Sequence, residues 1–272
     1  MKRLILSTLI LPILFLTSCS SDDDDNVFMG ETKIYTLNSV TNPSISGTAK
    51  FIENENGSTT VEISLSGTPS GGTHPAHIHY NTAAEGGDIA VSLTSVNGDT
   101  GKSVTTFSKL ATGASITYDQ LMEFDGYINV HLSGNELTTL VAQGDIGQNE
   151  LTGTSKVYAL NSVGSYTVNG TAKFFERVNG EALAILDLTN TVPNSQHPAH
   201  IHANDIATTG NVIFTFSPVN GDTGLSATNV SQLNSGTAFG YDDVLAVDGY
   251  INVHLSAAQL TEVVAQGNIG IN

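Results

Sequence analysis

Histidine is the residue type whose placement in this chain points most directly to chemistry. The 272 residues include eight histidines, and all eight fall at matched positions of an internal repeat. Residues i and i+2 of a β-strand project from the same face, so His77 and His79 would present two imidazoles side by side. Imidazole is the commonest metal ligand among side chains, so this spacing predicts a metal site in each repeat.

A second predicted strand supplies a third imidazole. Apolar and polar residues alternate over 127–132, which places His131 on the face turned away from the core. His77, His79 and His131 are therefore the first-choice ligands, with His74 as a candidate fourth ligand. The corresponding ligands of the second repeat are His200, His202, His254 and, as the candidate fourth, His197.

The predicted ligand set favours particular metals. Three or four imidazoles suit copper or zinc, and a nitrogen-rich site favours copper among the divalent ions. Copper, one ion per repeat, is the favoured cofactor, and zinc is the alternative. Two other interpretations stay open, namely a polar cross-strand cluster that only holds the sheet together and acid–base catalysis by histidine.

The segments that position these histidines occur twice along the chain, as an internal repeat. The segment 33–40 recurs as 156–163, an offset of 123 residues (156 − 33), and every histidine follows the same offset without a gap. A period this long indicates tandem domains rather than a solenoid. The expected organisation is domain 1 over 32–149, a polar linker over 150–154 and domain 2 over 155–272.

Each repeat is predicted to be all-β. Segments such as 59–65 alternate apolar and polar residues, and turn pairs such as Asn56-Gly57 separate them. The expected fold is two tandem antiparallel β-barrels or sandwiches of about seven or eight strands each. Capping-box patterns that begin at Ser133 and Ser256 predict one short helix per repeat, following those residues.

The N-terminal residues are typical of an exported lipoprotein. Lys2 and Arg3 precede an apolar run over 4–16, which predicts a signal peptide over 1–18. The sequence Leu16-Thr17-Ser18-Cys19 resembles the lipobox of bacterial lipoproteins, in which the cysteine becomes lipidated. Cys19, the only cysteine of the chain, is therefore expected to anchor the protein to the membrane.

An acidic run follows the predicted anchor. The four aspartates of 22–25 predict a disordered tether over 19–31. They also resemble the acidic export signal of Bacteroidota lipoproteins, so the expected location is the outer membrane with exposure at the cell surface. A periplasm-facing orientation is the alternative.

Charge and cysteine content exclude other classes of function. The chain carries a net charge of −17, and removal of 1–18 leaves 7 basic against 26 acidic residues, or −19. Such a protein repels phosphate backbones, so no nucleic-acid partner is expected. A lone cysteine excludes a disulfide framework and any cysteine-rich zinc or iron–sulfur site.

Three motifs together resemble a known family. They are His-Pro-Ala-His-Ile-His over 74–79, the turn Glu85-Gly86-Gly87 and Gly-Tyr-Ile-Asn-Val-His over 126–131. In this combination the chain resembles the CHRD domain, named for chordin and common in bacterial surface proteins, over residues 32–149 and 155–272. The resemblance implies an immunoglobulin-like β-barrel with limited similarity to copper/zinc superoxide dismutase, and it implies no established activity.

The similarity to dismutases extends to the candidate ligands and to the C-terminal strand, which residues 140–147 resemble. His77 and His79 resemble the dismutase His-x-His copper-ligand pair, and His131 resembles its last copper ligand. The bridging histidine, the zinc loop, the disulfide cysteines and the guiding arginine are missing, and the negative charge opposes steering of superoxide. An enzyme is therefore less expected than a mononuclear metal site.

Three functions follow from these observations. The leading hypothesis is a surface-anchored lipoprotein that binds metal, with copper favoured, for sequestration or sensing. The alternative is a non-catalytic adhesion module for an extracellular protein or glycan, in which tandem domains give avidity and the histidines are structural. The second alternative is a dismutase-like redox enzyme.

Overall fold

Two curled β-sheets, one per repeat, make up the computed structural model, which describes residues 28–40 and 45–272. The predicted all-β class is confirmed. The predicted signal peptide, Cys19 and the acidic run over 22–25 lie outside the described residues. Within the described ranges no helix is long and apolar enough to cross a membrane.

The first repeat forms a closed barrel. Its elements are β1 (Thr32–Ser39), β2 (Ser46–Glu53), β3 (Thr59–Ser66), β4 (Thr73–Tyr80), β5 (Ile89–Asn97), β6 (Lys102–Phe107), α1 (Tyr118–Met122), β7 (Asp125–Ser133) and β8 (Glu136–Gly147). Neighbouring strands follow the order β1-β2-β3-β6-β5-β4-β7-β8, and β8 pairs back to β1. All of these pairs are antiparallel, so β4 and β7 lie side by side although they are distant in sequence.

The second repeat forms a curled eight-stranded sheet that, unlike the first, does not close into a barrel. Its elements are β9 (Leu151–Ser162), β10 (Asn169–Arg177), β11 (Ala182–Thr189), β12 (Gln196–His197), β13 (Ala199–Ala203), β14 (Val212–Thr215), β15 (Val219–Asn220), β16 (Leu225–Val230), α2 (Tyr241–Ala246), β17 (Asp248–Ser256) and β18 (Gln259–Gly270). The sheet order is β14-β13-β17-β18-β9-β10-β11-β16, and β12 pairs with β15 separately. Pro218 separates β14 from β15 because proline cannot donate a ladder hydrogen bond.

Each sheet encloses its own hydrophobic core. Inward-facing residues alternate with outward-facing ones along the strands, as in β3, where Val61, Ile63 and Leu65 are buried. Ala76 and Ile78 of β4 are fully buried, and Ile78 pairs with Ile128 of β7. This packing fixes which face of β4 and β7 the histidines occupy.

The helices form at other positions than predicted. At Ser133 the chain makes a tight turn, with Ser133 paired to Glu136, and β8 continues from Glu136 as a strand. The residues that follow are rich in threonine and pair with β7, so sheet pairing outcompetes the capping box. The helix α1 begins instead after Thr117, whose side chain accepts the backbone N–H of Gln120.

The predicted linker is largely a strand. Residues 151–154 form the start of β9, and Leu151 pairs with Arg177 of β10. Arg177 is 1% exposed, and its Nη1 donates to Asp145 Oδ2 of domain 1 at 2.7 Å and to the Asn149 carbonyl at 2.5 Å. A buried ion pair therefore joins the two domains.

Candidate metal centre

Two neighbouring strands bring the predicted ligands of the first repeat together. In the β4–β7 pair His77 lies opposite Asn129 and His79 lies opposite Tyr127, so His131 is diagonal to His77. Ala76 and Ile78 fill the core, which directs His77 and His79 to the outer face. The outer face of β7 carries His131, which is itself buried.

The three imidazoles form a compact cluster, which we call the first triad (His77, His79 and His131). One ring nitrogen from each residue lies within 4.8 Å of the other two. The Nδ1 atom of His77 and the Nε2 atom of His131 are 3.2 Å apart. The ring centroid of His77 lies 5.2 Å from that of His131 and 5.8 Å from that of His79.

The second repeat rebuilds the same cluster, which we call the second triad (His200, His202 and His254). Its ligand nitrogens also lie within 4.8 Å of one another. The centroid of His254 is 5.1 Å from that of His200 and 6.4 Å from that of His202. The structure therefore assembles three of the four predicted ligands in each domain.

Backbone carbonyls orient one imidazole of each triad. His79 Nδ1 lies 2.9 Å from the Gly87 carbonyl oxygen, and His202 Nδ1 lies 2.9 Å from the Gly210 carbonyl oxygen. A carbonyl oxygen can only accept, so Nδ1 carries the proton and Nε2 keeps its lone pair. Both Nε2 atoms are buried and have no hydrogen-bond partner within the described residues. Such an arrangement is typical of a histidine prepared to ligate a metal.

Tyrosine rings hold the same imidazoles from one side. The Tyr127 ring stacks on His79 with centroids 5.0 Å apart, and the Tyr250 ring stacks on His202 at the same distance. The Tyr127 hydroxyl accepts the backbone N–H of Gly87 at 3.2 Å. Gly87, Tyr127 and His79 therefore fix one another's positions.

Burial favours the neutral form of four of the six triad imidazoles. Burial lowers the pKa of His254 from 6.5 to about 4, with further lowering by His200 and His202. Burial also lowers the pKa values of His77, His131 and His200, and neighbouring histidines add to the effect. Neutral imidazoles offer lone pairs at pH 7, which metal ligation requires.

The nitrogen atoms fit a small transition-metal ion. Bonds of about 2.0–2.1 Å to zinc or copper place the ligand nitrogens roughly 3.5 Å apart, and the triad nitrogens lie within 4.8 Å of one another. No cysteine, aspartate or glutamate of the described chain joins either triad. The donor set is therefore three neutral imidazoles, with one or more coordination positions left open.

The candidate fourth ligands, His74 and His197, lie outside the two triads. His74 and His197 are 1% and 0% exposed and lie on the core side of the sheet. Their Nδ1 atoms face the carbonyl oxygens of His131 and His254, at 3.3 and 3.1 Å. The structure thus leaves both candidate fourth ligands outside the triads, as neighbours of a ligand's backbone.

Comparison of the chain with protein-family models, with curated proteins and with solved structures finds no match. The case for a site therefore rests on the geometry of the two triads.

Proposed function

We propose that this protein binds transition-metal ions, one at each histidine triad, with copper as the preferred metal. The observation that carries the proposal is the occurrence, in both domains, of three clustered imidazoles. In each triad one Nε2 atom is buried and unpartnered while the other ring nitrogen is committed to a glycine carbonyl. A cluster that served only to hold strands together would pair these nitrogens with one another or with polar neighbours.

The donor set supports copper over other ions. Three imidazoles without carboxylate or thiolate provide a nitrogen-only site, for which copper has the highest affinity among the divalent first-row ions. Zinc is the alternative, since three histidines and an open position also suit tetrahedral zinc.

The proposed role is sequestration or sensing at the cell surface. It combines the two triads with the predicted lipid anchor at Cys19 and the acidic tether that follows it. Two sites on one tethered chain would hold metal close to the membrane.

Metal content tests the proposal directly. The protein, prepared without a histidine tag, is incubated with copper and zinc, desalted exhaustively and analysed by mass spectrometry. We expect about two copper ions per chain, and none in a variant with His77, His79, His200 and His202 all replaced by glutamine. The matched control replaces the exposed Asp187 by asparagine and should retain both ions.

Absence of retained metal in the folded wild-type protein would refute the proposal. The triads would then be structural cross-strand clusters, and an adhesion module for extracellular protein or glycan would become the leading hypothesis.

A further inference from the structure

The buried histidine behind each triad is held differently in the two domains. In domain 2 the Nε2 atom of His197 accepts the backbone N–H of Val192 at 3.2 Å and contacts Ser195 Oγ at 2.9 Å. In domain 1 the Nε2 atom of His74 is buried and has no partner among the described residues. The two copies of the same histidine are therefore anchored unequally.

The difference has a simple cause in the sequence. At the repeat offset of 123, Val192 corresponds to Pro69 and Ser195 corresponds to Gly72. Proline has no N–H to donate, and glycine has no hydroxyl. Both groups that surround Nε2 in domain 2 are thus missing from domain 1.

The hydrogen bonds of the His197 ring fix the backbone of His254, which is a ligand of the second triad. A backbone N–H can only donate, so His197 Nε2 is the acceptor, and the ring proton lies on Nδ1. Nδ1 then donates to the His254 carbonyl at 3.1 Å, while the Pro198 carbonyl accepts the His254 N–H at 2.8 Å. Both backbone groups of this ligand are held, and His197 has no free lone pair with which to bind metal itself.

The triads also differ in their internal contacts. In the first triad His77 Nδ1 and His131 Nε2 share a hydrogen bond of 3.2 Å, which a metal ion must break. In the second triad the corresponding Nδ1 atom of His200 is buried and unpartnered within the described chain. At His200, therefore, a metal ion has no such hydrogen bond to displace.

We infer that the two sites are unequal: the second triad binds copper more tightly and fills first, and His197 is the positioning residue that makes it so. This inference rests on the proposed function. Groups that orient a ligand from outside the coordination sphere typically change metal affinity by about 10–100-fold. We expect the two sites to differ by about tenfold.

Chains with one triad disabled measure each site alone. Full-length protein carrying His77→Gln and His79→Gln retains the second triad, and protein carrying His200→Gln and His202→Gln retains the first. Each is titrated with copper(II) against a competing chelator. We expect the second triad to have a dissociation constant about tenfold lower than that of the first.

The wild-type chain provides a measurement that needs no variant. With one copper(II) per two sites, a tenfold difference in affinity places about three-quarters of the copper at the second triad. The electron paramagnetic resonance spectrum should therefore be a mixture dominated by that of the chain that retains the second triad only. A spectrum that is an equal mixture of the two single-triad spectra would overturn the inference.

A third chain tests the role of His197. Val192→Pro with Ser195→Gly gives domain 2 the residues that domain 1 has at these two positions. The corresponding turn of domain 1 accommodates both residues. Thr191 and Thr68 make the same hydrogen bond in the two turns, to Gly221 and Gly98 carbonyls at 2.9 Å. In the chain that retains the second triad, this change should raise the dissociation constant about tenfold, with nitrogen coupling in the spectrum unchanged.

These experiments distinguish failure of the inference about unequal sites from failure of the proposed metal binding. The same two substitutions in the chain that retains the first triad are the matched control, and its affinity should not change. No copper at either site would refute the proposed function itself. Copper at both sites with equal affinity, or no effect of the Val192 and Ser195 changes, would overturn the inference and leave the function standing.

Discussion

Burial of His254 makes the stability of the metal-free protein depend on pH. Its pKa in the folded protein is about 4, below the ordinary value near 6.5, so the unfolded chain takes up the proton first. Stability from this group is complete above about pH 6.5, falls as the pH is lowered towards 4 and falls no further below that. We predict that His254→Gln flattens this part of the dependence of the unfolding free energy on pH.

The measurement is urea denaturation between pH 7 and pH 4 in the presence of a metal chelator. Carboxylates titrate in the same range, so the difference between wild type and variant isolates the histidine. Parallel curves for the two proteins would contradict the lowered pKa.

The glycines that orient the triads leave no room for a side chain. A Cβ atom on Gly87 would lie 2.1 Å from the Tyr80 carbonyl oxygen, and one on Gly210 would lie 2.1 Å from the Ala203 carbonyl oxygen. Gly87→Ala must therefore shift the carbonyl that orients His79. We predict that it weakens copper binding at the first triad about tenfold and leaves the second triad unchanged.

The control for this prediction is Gly134→Ala. A Cβ atom there meets nothing within 4 Å, so binding at both triads should be unaffected. Equal loss at the two triads, measured in the single-triad chains, would contradict a local effect of Gly87.

The sequence predicts the clustering of three histidines in each repeat, and the structure places the candidate fourth ligands, His74 and His197, outside the two clusters. Period-two alternation pairs His77 with His79, and the same rule puts His74 on the opposite face with Ala76, where the structure has it. The signal was therefore present in the sequence. The role of Gly87 was not predictable, because its contribution is a backbone carbonyl whose position depends on the fold.

At the scale of elements, the capping sequence at Thr117 begins a helix and the one at Ser133 does not. Thr117 caps α1 and Gln120 completes the capping box, whereas Ser133 is the last residue of β7 and begins no helix. We predict that Thr117→Ala lowers the unfolding free energy by about 1 kcal/mol. Ser133→Ala should change it by less than about 0.5 kcal/mol, and chemical denaturation of both variants provides the comparison.

Strands were predictable here where helices were not. Alternation over many residues marks β3 clearly, since a period of two reports directly on burial of one face. The helix α1 has five residues, too few for a helical period to emerge from the sequence. The helix predicted after Ser133 does not form because the residues that follow pair with β7 instead.

At the scale of the whole molecule, one buried ion pair joins the domains. Arg177 donates to Asp145, which also accepts the backbone N–H of Ala83 at 2.8 Å. Asp145→Asn would leave the buried guanidinium without a counter-charge. We predict a loss of about 3–5 kcal/mol in unfolding free energy, measured by calorimetry, against a near-neutral effect of Asp187→Asn at an exposed position.

Neither member of this ion pair has a charged counterpart in the other repeat. At the repeat offset, Asn54 of domain 1 takes the place of Arg177, and Asn268 of domain 2 takes the place of Asp145. The two outer ends therefore offer neutral amides where the inner junction has opposite charges. Within the chain, this pair of opposite charges therefore occurs only at the junction between the two repeats.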